Sequence, residues 1–193
     1  MNVGVLISGT GTNLQALIDD PQIEVVCVVS NRPQAGGVER ARRAGIDVLV
    51  SGDEEETATF LEAHSVGLVV LAGYMRVLSA GFVSRFSGHI MNIHPSLLPA
   101  FPGAQAVRDA VDHGVRVTGV TVHLVDRHHV TPDTGPIVLQ EATEVSYDDR
   151  PQDVTERLHR IEHRLLPQAV RLFCAGRLEV SGRRVRVKDE RLA

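Results

Sequence analysis

The side chains best suited to chemistry lie in one run, Met91-Asn92-Ile93-His94-Pro95-Ser96-Leu97-Leu98-Pro99-Ala100-Phe101-Pro102-Gly103. A carboxamide and an imidazole stand two residues apart, a donor group beside a ring that can take or give a proton near neutral pH. Side chains alternate across a strand, so Asn92 and His94 share one face, about 6.6 Å apart at about 3.3 Å per residue, and Met91 and Ile93 share the other. Pro95, Pro99 and Pro102 fix φ and remove backbone donors, which ends the strand just after His94. Both polar groups then sit at the carboxyl end of a strand, where open α/β sheets carry their ligands. The same spacing also fits a strand end with two satisfied polar residues and a stiff loop, and spacing alone does not separate the two readings.

A second candidate lies at the start of the chain. Val3 to Ile7 is an apolar run, Ser8-Gly9-Thr10-Gly11-Thr12-Asn13 follows, and Leu14, Leu17 and Ile18 then recur at helical spacing. This pattern predicts strand, tight turn and helix. Thr12 and Gln15 match a capping box, which starts the helix at Thr12 and leaves backbone N–H groups facing the turn, a setting that favours an anion. It is not a dinucleotide fingerprint, because Leu14 occupies the third glycine position and the next strand ends in Asn31-Arg32 without an acidic residue. No Lys follows the glycines, so it is not a nucleoside-triphosphate loop either. A glycine-rich first turn with no ligand remains an equal reading.

The elements that must position these groups follow from periodicity. Strands are expected at Ile23 to Ser30, Ile46 to Val50 and Val66 to Leu71, and helices from Pro33 through Ala44, closed by Gly45, and at Glu54 to Glu62. This β-α-β-α rhythm predicts a parallel sheet with right-handed crossovers. Further on, Ser79 to Phe86 and Ala106 to His113 read as helices, and Val115 to Val125 and Ile137 to Gln140 as an antiparallel strand pair. A long helix follows Asp148-Asp149-Arg150-Pro151, carrying Val154, Leu158, Ile161, Leu165, Ala169 and Leu172 on one face, with a kink expected at Pro167. Leu178 to Val180 and Val185 to Val187 form a closing hairpin. The expected fold is α/β, an open, mostly parallel Rossmann-like sheet with helices on both faces and an antiparallel C-terminal part.

At 193 residues the chain suits one domain, spanning 1–193, large enough to need no disulfide or metal staple. A net charge of −4, with scattered arginines, gives no reason to expect nucleic acid or an anionic membrane as partner. Cys27 and Cys174 read as thiols in a reducing compartment. No signal-peptide pattern or long apolar stretch is present, so a cytoplasmic location is expected. His123, His128, His129 and Asp133 invite a metal reading, but adjacent histidines in a polar loop are more often solvated, and no metal is expected.

The run from Asn92 to Gly103 resembles the signature of the folate-dependent phosphoribosylglycinamide formyltransferase family, and the resemblance extends over nearly the whole chain. It implies the formyltransferase fold, with Asn92 and His94 catalytic. Asp133-Thr134-Gly135-Pro136 resembles the family's Asp-x-Gly-Pro loop, which makes Asp133 the third catalytic residue. It further implies substrate phosphate on Gly11, Thr12 and Asn13, and substrate ribose on Glu162. Met75, Arg76, Val77 and Leu78, with Asn92, would line the folate pocket. The implied reaction passes a formyl group from N10-formyltetrahydrofolate, a co-substrate, to phosphoribosylglycinamide in purine synthesis; the partners are small molecules, and a homodimer is compatible.

Without the resemblance, Met75, Val77 and Leu78 fit core packing better than a flat-ring wall, and Glu162 fits an exposed helix position among arginines. Three departures from the family pattern stand out. The stretch 51–73 has no Lys or Arg, which leaves Arg76 or solvent for the folate's glutamate tail; Gln105 stands where relatives usually carry His; and the interval from Asp126 to Asp133 is about three residues longer than usual. A formyl-folate hydrolase would add an N-terminal domain, and a tRNA formyltransferase a C-terminal one, for which this length leaves no room. A catalytically silent binding module is opposed by the intact Asn92, His94 and Asp133 set.

Overall fold

The computed structural model describes residues 1–125 and 133–188. Seven strands, β1 (Asn2–Ile7), β2 (Glu24–Ser30), β3 (Asp47–Val50), β4 (Leu68–Leu71), β5 (Ile90–His94), β6 (Val117–Val125) and β7 (Ile137–Glu144), form one sheet in the order β3-β2-β1-β4-β5-β6-β7. The pairs from β3 to β5 are parallel, and β5–β6 and β6–β7 are antiparallel. This is the expected architecture. β4 reads Leu-Val-Val-Leu with every residue buried, as a strand covered on both faces requires. β7, at the edge, alternates between more and less buried residues.

Helices cover both faces. On one side α1 (Thr12–Ile18), α2 (Gly36–Arg43) and α6 (Pro151–Cys174) bury Leu14, Leu17, Val38, Ala41, Leu158 and Ile161 against Val5, Ile7, Met91 and Ile93. α5 (Ala106–Asp112) adds Val107 and Val111 to that layer. On the other side α3 (Glu54–Ala63) and α4 (Ala80–Arg85) bury Ala58, Leu61, Phe82 and Val83 against Leu6, Val29, Leu71 and Ile90. The Asp53 carboxylate caps α3 by accepting from the Glu56 N–H at 2.8 Å, and the Ser79 hydroxyl caps α4. β8 (Leu178–Ser181) and β9 (Arg184–Val187) form the closing antiparallel hairpin.

Cys27 is fully buried and its thiol is pushed up to about 12, by burial first and then by Asp47. Both cysteines are free. α6 runs as one helix through Pro167. No described helix is long and apolar enough to cross a membrane. His128 and His129, set aside above as metal ligands, and the start of the lengthened interval at Asp126 lie outside the described residues.

Because β1 and β4 are neighbours while their crossovers leave in different directions, the segments after them diverge and open a crevice at the carboxyl edge. The site is built there.

Candidate active site

A cavity of about 460 Å³ occupies this crevice, bounded by Gly9 to Asn13 after β1 and Ala72 to Leu78 after β4. Asn92, His94, His123 and Asp133 form its middle, and Glu162 and His159 of α6 reach it from the other side. Every residue expected at the site therefore lines one space.

β5 ends at His94, as the prolines require, and the antiparallel register sets Asn92 opposite His123 and His94 opposite Thr121. Four side chains then lock together. His123 Nδ1 lies 3.0 Å from the Leu124 carbonyl, which can only accept, so Nδ1 carries the hydrogen and Nε2 accepts from Asn92 Nδ2 at 3.1 Å. Asn92 Nδ2 also donates to Asp133 Oδ1 at 3.3 Å. His94 Nε2 donates to the Phe101 carbonyl at 2.9 Å, which turns Nδ1 toward Asp133 Oδ1 at 3.4 Å. The Gly103 N–H donates to Asp133 Oδ2 at 2.9 Å. The side chains of His94, Asp133 and His123 are 7%, 8% and 1% exposed, so these bonds are shielded from water.

Asp133 adopts a left-handed backbone, φ 61°, which Asp tolerates better than most residues. Burial opposes ionisation of its carboxyl, but neighbouring donors, the Gly103 N–H among them, and the His94 ring outweigh it and hold the group below its usual range. His123 Nε2 is 3.7 Å from Asp133 Oδ1, too far for a hydrogen bond, and its lone pair is taken up by Asn92. Sequence reasoning considered His123 only as a metal ligand. Its place opposite Asn92 depends on strand register, which a single strand's alternation does not reveal. Among the described residues, no group of three or more His, Cys, Asp or Glu side chains is placed to hold a metal ion.

The first turn departs from expectation in one respect. α1 starts at Thr12, but its N-cap is Gly11 at φ 74°, and no side chain caps it. Thr12 lies inside the helix, so the expected capping box does not form; Gln15 instead donates to Asp19 at 2.8 Å and accepts from Arg40 at 3.3 Å. Gly11 is required twice over, by its positive φ and because a Cβ there would lie 2.5 Å from Gly37 Cα. Without a cap, the first-turn N–H groups are left for a ligand.

Glu162 is 6% exposed and accepts from Asn13 Nδ2 at 2.9 Å, which overturns the exposed-helix reading. Asn13 Oδ1 is buried and has no partner among the described residues. The wall after β4 divides: Met75 and Val77 are 54% and 69% exposed, while Leu78 is buried beside Phe82 and Val83. Core packing thus accounts for Leu78 alone. Arg76 hydrogen-bonds the Gly52 carbonyl at the entrance to α3. The Met75 N–H donates to Ser8 Oγ at 2.9 Å, tying this wall to the first turn.

A family model described as formyl transferase matches residues 1–170. The chain is 38% identical to phosphoribosylglycinamide formyltransferase of Escherichia coli (strain K12), over 93% of this chain and 90% of that protein. It is 44% identical to the trifunctional purine biosynthetic protein adenosine-3 of Gallus gallus over 93% of this chain and 19% of that protein. The chain spans 14–20% of the length of the trifunctional relatives it first matches. The crystal structure of glycinamide ribonucleotide transformylase 1 from Symbiobacterium toebii superimposes with a TM-score of 0.93 at 46% identity, covering 98% of this chain and 94% of that one.

Proposed function

Because this chain belongs to the formyl transferase family, we propose that it transfers a formyl group from N10-formyltetrahydrofolate to the amino group of 5′-phosphoribosylglycinamide, with 1–193 acting as one formyltransferase domain. The observation that carries this reading is the continuity of the cavity: an uncapped glycine turn, a buried cluster of acid, amide and imidazole, and an exposed apolar wall line the same space.

The residues present fit both substrates. A phosphate suits the N–H groups of Gly11, Thr12 and Asn13 at the helix start, which no side chain caps. Glu162 holds Asn13 through one oxygen and keeps acceptor sites for a ribose diol, while the orphaned Asn13 Oδ1 awaits a donor. Met75 and Val77 offer soft, exposed apolar surface to a flat ring.

In the reaction the amine attacks the formyl carbon, and negative charge moves onto the formyl oxygen. Asn92 Nδ2 is the donor for that charge; its longer contact, to Asp133, is the one it exchanges for the oxyanion, and losing such a donor typically costs roughly 10²–10³ in rate. His94 Nε2 is already committed to Phe101, so His94 acts through Nδ1, which faces Asp133 Oδ1 at 3.4 Å. Asp133, held ionised at neutral pH, takes the proton the attacking nitrogen loses and passes it to the folate nitrogen as the C–N bond breaks. No acyl-enzyme is needed, because the amine is a competent nucleophile and neither cysteine lines the cavity.

Purified protein supplied with both substrates should release one tetrahydrofolate for each nucleotide formylated. Tetrahydrofolate release at the same rate without the nucleotide would replace this reading with a hydrolase.

A further inference from the structure

The loop between Pro95 and Gly103 supplies both backbone groups that orient the buried cluster, the Phe101 carbonyl for His94 and the Gly103 N–H for Asp133. Something must hold that loop. Its own chemistry does part of this, since Ser96 Oγ donates to the Ala100 carbonyl at 2.6 Å and the Ala100 N–H to the Leu97 carbonyl at 3.0 Å. The remainder comes from the antiparallel part of the sheet. Thr121 is fully buried on β6, and its hydroxyl donates to the Ser96 carbonyl at 2.7 Å while accepting from the Leu98 N–H at 3.1 Å. Gln140 on β7 donates to the same hydroxyl at 2.8 Å and to the Leu98 carbonyl at 2.9 Å. One donor and two acceptor positions exhaust what a hydroxyl can offer. The Leu97 side chain packs against Gly119, where a Cβ would come within 2.6 Å of Leu97 Cδ2.

We propose that Thr121, backed by Gln140, is a positioning residue: it clamps Ser96 and Leu98 so that Phe101 and Gly103 hold His94 and Asp133 in their reactive geometry. Neither Thr121 nor Gln140 lines the cavity, so neither acts by touching substrate. The inference rests on the reading of Asn92, His94 and Asp133 as the reacting groups. Misplacing a reacting group by about 1 Å can cost on the order of 10²-fold in rate, whereas the glycine turn and the wall after β4 are built from other segments. The clamp therefore governs kcat and leaves substrate binding alone.

Thr121→Val keeps the shape and removes the hydroxyl. It should lower kcat by about 10- to 100-fold while leaving KM for both substrates within about twofold, and Thr121→Ser should recover kcat to within about threefold of the unaltered enzyme. Gln140→Leu, at an exposed strand position, should give a smaller loss of about threefold. A folded Thr121→Val with unchanged kcat, a Thr121→Ser as impaired as the valine variant, or a loss confined to KM would overturn the clamp. If Thr121→Val does not fold, an unchanged kcat in Gln140→Leu overturns it. His94→Ala measured alongside separates the two levels: an unchanged kcat there sinks the assignment of reacting groups, while a large loss there with none in Thr121→Val sinks only the clamp.

Discussion

At the strand ends, Asn92, His94, His123 and Asp133 bond to one another and to loop backbone, so each stands oriented before any substrate arrives. At the first turn the opposite holds. α1 has no side-chain cap, and Asn13 Oδ1 is buried with no partner among the described residues. A closed polar network spends its bonds on its own geometry and gains precision; an open one keeps bonds in reserve for a ligand. The first arrangement suits groups that must stabilise a short-lived charge, and the second suits groups that must bind a stable anion and a diol. On this view, damage in the two regions should appear in different kinetic constants.

The largest expected effect is at the closed end. His94→Ala should lower kcat by roughly 10²–10⁴ with little change in KM for the nucleotide, as steady-state kinetics would show. Equal changes in the two constants would erase the distinction between the regions.

Next comes the open end. Thr12 is the first helical residue, a position that tolerates proline, so Thr12→Pro deletes one N–H while keeping the helix. It should raise KM for the nucleotide by about tenfold, the value of one charge-assisted hydrogen bond, with kcat nearly unchanged. An unchanged KM would remove the phosphate assignment.

The smallest effect lies outside both regions and calibrates them. His64 Nδ1 donates to the Phe60 carbonyl at 2.8 Å and Nε2 faces Asp47 at 3.1 Å; that backbone bond first, then Asp47, raises its pKa above the usual 6.5 against the opposing effect of burial. A raised folded-state pKa means that this stabilisation is complete below about 6.5 and is lost as pH rises through the folded value. Asp47→Asn should therefore lower Tm by about 1–3 °C near pH 5.5 and by less near pH 9, with kcat unaffected. A Tm decrement that does not depend on pH would show that the pair contributes through packing alone.

Much of the architecture was legible because its causes are local. Uninterrupted apolar runs such as Leu68 to Leu71 announce strands buried on both faces, prolines after His94 end β5, and glycine at 11 permits a turn that other residues resist. Glu162 was not legible in the same way: a helical Glu among arginines reads as solvated, and its burial follows from a bond to Asn13, 149 positions away. His123 pairs with Asn92 across 31 positions, through a register that only the folded sheet sets. The Thr12 and Gln15 capping box failed for a related reason, since packing of α2 against Gly11 made glycine the cap and engaged Gln15 with Arg40.

By itself the sequence determined the α/β alternation, the strand ends that carry Asn92 and His94, the glycine turn, and the resemblance that pointed to formyl transfer. Only the tertiary structure decided that His123 joins the cluster, that Glu162 is buried, that Met75 and Val77 are exposed while Leu78 is buried, and that Thr121 bonds to Ser96 and Leu98 of the loop. The physical reason is range. Fixed φ angles and hydrophobic period act over a few neighbouring residues, whereas hydrogen-bond partners and burial are settled by which distant segments the packed sheet and helices bring together.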